Sequence, residues 1–317
     1  MNREHLEHML EGGVTAANVT VTIEHGFHKT VDLVHDFQRV FAENADIIRP
    51  VRSVADIRAA KAEGRVGIIH GTQNATPIEG DIRLVKPLHL LGIRIIQLAY
   101  MTGNLLGDGC LEPRNAGLTV FGRRVVHELN RRGILIDLSH CGERTTLEAI
   151  EESEQPVAFT HACARSRCTH PRNKSDEAMK ALAARGGVMG ITSLAAFVAD
   201  DWRDANLTTY LDQVEYAVQL MGIDHVGLGM DFVEFLPASF LVPARWGGVH
   251  VPTGLSGLTE FPIPYSRDVD DSRKLPNVTA GLLERGYSEA DVRKVLGDNF
   301  LRLLERVWSI SDSADAE

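Results

Sequence analysis

The sequence predicts an α/β fold built on one parallel sheet, rolled up as a (β/α)8 barrel, and three observations carry that expectation. Short apolar runs rich in β-branched residues alternate with segments of helical periodicity along almost the whole chain. No Pro/Gly-rich linker divides the 317 residues, so residues 1–317 read as a single domain. Polar residues of the kind that bind metals or carry protons gather just past the carboxyl ends of the apolar runs, where parallel sheets place their chemistry.

Taken in order, a helix over Arg3 to Leu10 stops at Gly12 and Gly13, and Val14 to Ile23 follows as a strand. The spacing predicts a helix over Thr30 to Ala45. Ile47 to Val51 is short and broken by Pro50, so it is not expected among the barrel strands. A charged helix, Val54 to Glu63, leads to the strand Val66 to His70; Ile82 to Leu91 is helical and Ile93 to Leu98 a strand. After a glycine-containing loop come the helix Gly122 to Arg132 and the strands Ile134 to Leu138 and Val157 to Thr160, with a helical segment between them. The helix Asp176 to Ala184, the strand Gly187 to Ile191, the helix Leu207 to Met221 and the strand His225 to Gly229 complete the alternation. An irregular loop is expected at about 232–275, a length that is usually functional or disordered. Helices close the chain at about 278–309, with Ser288 and Asp291 as a loose capping box. Seven strands are visible and a closed barrel needs eight. The expectation is therefore a barrel whose first strand is missing at the amino terminus, or a sheet that stays open.

The formal net charge of −10 argues against a sequence-independent grip on nucleic acid or on an anionic membrane surface. No apolar run approaches the roughly 20 residues that span a bilayer, and the first residues carry no apolar leader core. A cytoplasmic protein with a small-molecule substrate is the expectation. Four cysteines without a CxxC pair fit reduced thiols rather than a disulfide framework.

The densest chemistry lies in residues 133–173, GILIDLSHCGERTTLEAIEESEQPVAFTHACARSRCTHPRN. His140 and His161 each stand just past a strand end, and parallel neighbours about 4.8 Å apart would bring the two imidazoles into one pocket as half of a metal site. Other strand ends offer Thr22 with Glu24, His70 with Gln73, Gln97 with Tyr100, Asp137, Thr192 and Asp231. Asp231, in GLGMDF, is the natural proton carrier or amine-binding carboxylate. Arg172, in HPRN, offers a two-pronged match to a substrate carboxylate. Cys141 and Cys163 are offset from the histidines, which turns them away from the pocket and disfavours a cysteine nucleophile. Neither a Walker loop nor a GxGxxG after a strand is present, so a nucleotide cofactor is not expected.

The segments GLTVFGRRVVHELNRRGILIDLSH, PVAFTHACARSRCTHPRNKSDE, GGVMGI, GIDHVGLGMDF and LPNVTAGLLERGYSEADVRKVLGDNFLRLLERV occur in an order and spacing that resemble the membrane (renal) dipeptidase family, the M19 metallopeptidases. That resemblance implies an amidohydrolase-like barrel, a homodimer, and cleavage of dipeptides or related amides with two zinc ions. It implies His140 and His161 as ligands of the second metal, Arg172 at the substrate carboxylate and Asp231 at the substrate amine. Three positions depart from the family pattern: Gln73, in a GxQN motif, stands for the bridging glutamate, Tyr100 stands for a histidine, and the first-strand His-x-Asp pair has no counterpart. A neutral amide offers one oxygen where a carboxylate would bridge two cations. The resemblance then implies at most one weakly held zinc ion on His140, His161 and Gln73. The rival expectations are a binding protein that keeps the pocket, and a metal-independent hydrolase or lyase using Asp231 with Tyr100.

Overall fold

The computed structural model describes residues 1–234 and 264–310, so most of the irregular stretch expected at about 232–275 lies outside the described residues. In chain order the elements begin with α1 (Arg3–Glu11), β1 (Ala16–Thr22), α2 (Phe27–Glu43), β2 (Ile48–Val51), α3 (Val54–Ala62), β3 (Val66–Thr72), α4 (Val85–Leu90), β4 (Ile93–Gln97), α5 (Val120–Arg131) and β5 (Leu135–Asp137). They continue with α6 (Glu143–Glu152), β6 (Ala158–Ala162), α7 (Asp176–Ala184), β7 (Val188–Ile191), α8 (Ala195–Val198), α9 (Leu207–Met221), β8 (Val226–Leu228), α10 (Leu275–Glu284), α11 (Glu289–Arg293) and α12 (Asn299–Trp308). Side-chain caps explain many of the helix starts: Asn2, Thr119 and Ser175 each accept a backbone N–H of the first turn, and Ser53 with Asp56 forms a reciprocal box on α3. Ser288 caps α11 in the same way, but its hydroxyl donates to Asp291, and the helix ends at Arg293 in a wide turn before α12.

All the ladders are parallel, in the order β1-β3-β4-β5-β6-β7-β8, with β2 attached to β3. Among the described residues β1 and β8 share no ladder, so the sheet curls with two free edges, as the count of seven strands requires. Ile48–Val51 is a strand after all. Its place is peripheral, paired only with β3, which is why Pro50 is tolerated opposite Ile68.

Strand alternation sorts the core. Ile69, Ile95, Leu135, Ala158 and Val188 point inward at the lower end of the sheet and meet Leu303, Leu304, Val307 and Trp308 of α12, which plugs that end. The outward residues, among them Ile96, Ile136, Phe159 and Met189, pack beneath the surrounding helices. At the upper end β6 departs from strict alternation: its register with β7 shifts between Phe159 and Ala162. That irregularity turns both Thr160 and His161 toward the interior.

Candidate active site

The upper end of the sheet opens into a cavity of about 1720 Å³ that continues down the gap between β1 and β8. Gln73, Tyr100, His140, His161 and Asp231 all line it, so five of the six residues singled out from the sequence share one space. The sixth, Arg172, does not.

Asp137 organises the floor. Only one residue pair, Asp137 with Ala158, joins β5 to β6 in register, and the Asp137 carboxylate extends that junction by accepting from Ser139 N at 2.9 Å, Ser139 Oγ at 2.6 Å, Thr160 N at 3.0 Å and Thr160 Oγ1 at 2.7 Å. His161 Nδ1 lies 2.8 Å from Thr160 Oγ1, and His161 Nε2 lies 2.9 Å from His140 Nε2. The Tyr100 ring stacks on His140 with centroids 4.1 Å apart at 24°. Burial, reinforced by the Arg172 charge, holds both imidazoles well below the ordinary histidine range, so both are neutral at pH 7. Gly190 and Gly229 leave room for this corner: a Cβ on either would run into the Thr160 carbonyl oxygen.

Asp231 follows β8 with φ +59°, a left-handed conformation that aspartate tolerates better than most residues. Burial pushes its carboxyl up to about 6, while the Arg172 charge and a hydrogen bond from the Gln73 amide pull the other way. Gln73 thus turns its amide toward Asp231, and its backbone carbonyl accepts from Gln97 Nε2 at 2.6 Å. Burial also drives the Tyr100 hydroxyl well above its usual range.

The HPRN segment braces the turns that carry the site histidines. Arg172 is 1% exposed; Nη1 donates to the Ser139 carbonyl and Nη2 to the His161 carbonyl at 2.6 Å. Lys174, two residues on, donates to Leu138 O at 2.7 Å, Cys141 O at 3.0 Å and Thr146 Oγ1 at 3.2 Å. Two buried cations therefore brace the turns that carry His140 and His161. Nη1 and Nη2 of the guanidinium are thus engaged with carbonyls behind the cavity wall, while Nε has no hydrogen-bond partner among the described residues.

Other strand-end residues divide between scaffold and site. His70 faces outward, its ring 4.7 Å from Phe37 and 5.6 Å from Phe41 by centroid. Inward-facing Ile69 already signals this by alternation. Gln97 and Thr192 hold backbone carbonyls. Glu24 lines the cavity, with its carboxyl raised by burial and accepting from Asn74 Nδ2 at 3.2 Å. The GxQN asparagine therefore positions a carboxylate that the sequence shows only as one strand-end residue among many. Cys141 and Cys163 are buried with their thiols pushed up, Cys141 to about 12, and neither lines the cavity.

A catalytic zinc ion takes three protein ligands. Among the described residues no group of three or more His, Cys, Asp or Glu side chains is disposed to hold an ion. His140 and His161, neutral and with their Nε2 atoms facing each other, offer two of the three ligands that one such ion takes, and the described donor set does not supply the ligands of two.

A curled parallel sheet ringed by helices, with histidines and a carboxylate beyond its strand ends, is the architecture of the amidohydrolase-like barrel class. The chain belongs to the membrane dipeptidase family, peptidase family M19, whose family model matches residues 4–240 and 254–317. It is 30% identical over 288 residues to dipeptidase aclJ of Aspergillus oryzae (89% of this chain, 61% of that protein) and 28% identical over 278 residues to dipeptidase tcpJ of Claviceps purpurea (87% and 59%). The chain thus spans about three fifths of the length of these relatives. Among solved structures, an amidohydrolase from Pseudomonas aeruginosa superimposes with a TM-score of 0.89 at 39% identity, covering 98% of this chain and 94% of that one. A metallo peptidase from Rhodobacter sphaeroides, bound to a phosphinate mimic of L-Ala-D-Ala, shares the fold with a TM-score of 0.79 at 22% identity, over 96% and 90% of the two chains.

Proposed function

We propose that this chain is a dipeptidase-like hydrolase acting on a small dipeptide or related amide, using at most one zinc ion held by His140 and His161. The observation that carries the reading is the convergence of those two imidazoles with Asp231 in one cavity of an M19 chain. Both rings are neutral, the form that ligates a metal, and both direct Nε2 into the same space. When bound, a divalent ion supplies Lewis acidity toward a carbonyl oxygen and lowers the pKa of water. The remaining work belongs to side chains. Asp231, poised near 6, accepts a proton above that pH and returns it to the leaving amine. Asp231 and Glu24, two carboxylates lining the cavity, favour a substrate amine.

Metal content by elemental analysis and release of amino acids from a dipeptide panel test this together. Turnover that chelator removes and zinc restores is expected; a folded full chain with neither metal nor turnover overturns it. A second reading rests on Gln73, whose amide is engaged with Asp231: the chain keeps the pocket as a binding site and has lost the chemistry. His140→Ala separates the two, because a binding protein keeps its ligand affinity while an enzyme loses turnover.

A further inference from the structure

We propose that Asp137 and Thr160 are positioning residues that lock His161 in the Nδ1–H tautomer, leaving its bare Nε2 toward the cavity and setting His140 in the opposite tautomer. Counting protons along the chain of contacts assigns both rings. Thr160 Oγ1 lies 2.7 Å from Asp137 Oδ2 and 2.8 Å from His161 Nδ1. A carboxylate only accepts, and a hydroxyl has one proton, so that proton goes to Asp137 and the Thr160 oxygen must accept from His161 Nδ1–H. Ser139 does not disturb the assignment. Its Oγ donates to Asp137 Oδ1 at 2.6 Å and accepts from His161 N at 3.0 Å, and its 3.2 Å approach to Thr160 Oγ1 is longer than that hydroxyl's contacts with Asp137 and His161.

His161 Nε2 is then a lone pair, and at 2.9 Å from His140 Nε2 one proton has to lie between the two rings. It belongs to His140. His140 Nδ1 is left as an unprotonated nitrogen, buried and without a hydrogen-bond partner among the described residues. The two imidazoles are therefore unequal: His161 is preset to offer Nε2 to an ion, whereas His140 must first move its proton to Nδ1. An outer partner that fixes a histidine tautomer in this way ordinarily governs metal affinity. The consequence for affinity rests on the proposed metal reading, and the tautomers themselves do not.

The test is long-range ¹H–¹⁵N correlation of the metal-free full chain labelled at histidine, with His140→Gln and His161→Gln used to assign the rings. His161 is expected as Nδ1–H and His140 as Nε2–H. Thr160→Val, close in shape and without the hydroxyl, should move His161 to Nε2–H and weaken zinc binding by about 10- to 100-fold; Thr160→Ser should restore both. A wild-type His161 found as Nε2–H, or one that stays Nδ1–H in Thr160→Val, overturns the relay. Should Thr160→Val fail to fold, the wild-type spectrum decides alone. Opposite tautomers without measurable zinc binding would uphold the relay and count against the metal reading.

Discussion

At Asp231 chemistry and stability pull in opposite directions. A carboxyl raised to about 6 is a useful proton carrier, and its ionised form is unfavourable where it sits. Because the folded value lies above the ordinary 3.8, ionisation costs stability as pH rises from about 4 to 6 and the full cost persists above that. Asp231→Asn should therefore melt higher than wild type at pH 8 while lowering kcat/KM about 10²- to 10⁴-fold, and wild-type kcat/KM should fall as pH drops below about 6. Calorimetry and a pH-rate series check both halves. Lys174 makes a contrasting case, since it does not line the site cavity and holds the His140 turn by three hydrogen bonds. Lys174→Met removes three charge-assisted hydrogen bonds from buried groups, so denaturant unfolding should show a loss of about 2 kcal/mol or more. The motifs DLSH and TH made His140 and His161 legible as a pair. The sequence could not show that Arg172 and Lys174 turn inward onto carbonyls, because that depends on how the loop folds back across two strands.

At the scale of elements, alternation and helix periodicity were enough to place the seven path strands, with boundaries shifted by a few residues at most. They failed where tertiary context decides. Pro50 concealed β2, which survives because only one of its edges is paired, and the irregularity in β6 that brings Thr160 and His161 to the same side has no signature in a period-2 pattern. His70 shows the opposite case, an outward residue of β3 inserted against Phe37 and Phe41 of α2, with burial lowering its pKa to about 4. The folded value lies below the ordinary 6.5, so the unfolded chain binds the proton first. Stability should be complete above pH 6.5 and fall toward pH 4 by up to about 3 kcal/mol. His70→Leu should flatten that slope in urea melts compared at pH 5 and pH 7. The plug made by α12 predicts a further cost: Trp308, 4% exposed among inward strand residues, should lose about 3–5 kcal/mol on truncation to alanine, read as a lowered denaturation midpoint.

For the molecule as a whole, the fold class and the family were both legible in the sequence, and the structure adds what kind of site the family's departures leave. Two imidazoles, one carboxylate that carries a proton near pH 6 and the Glu24 carboxylate, which accepts from Asn74, surround a cavity that follows the free edges of β1 and β8. Gln73 supplies an amide to Asp231 in place of a bridging charge. The proposed single-ion reading predicts a loosely held metal, so dialysis against chelator should remove activity readily. The most direct test is hydrolysis of a dipeptide panel by the full chain, with zinc titrated back into chelator-treated protein, for wild type and His161→Ala side by side. The account predicts turnover that saturates with zinc at about one ion per chain and disappears in His161→Ala. Turnover indifferent to both chelator and His161→Ala, or no turnover at any zinc concentration, would contradict it.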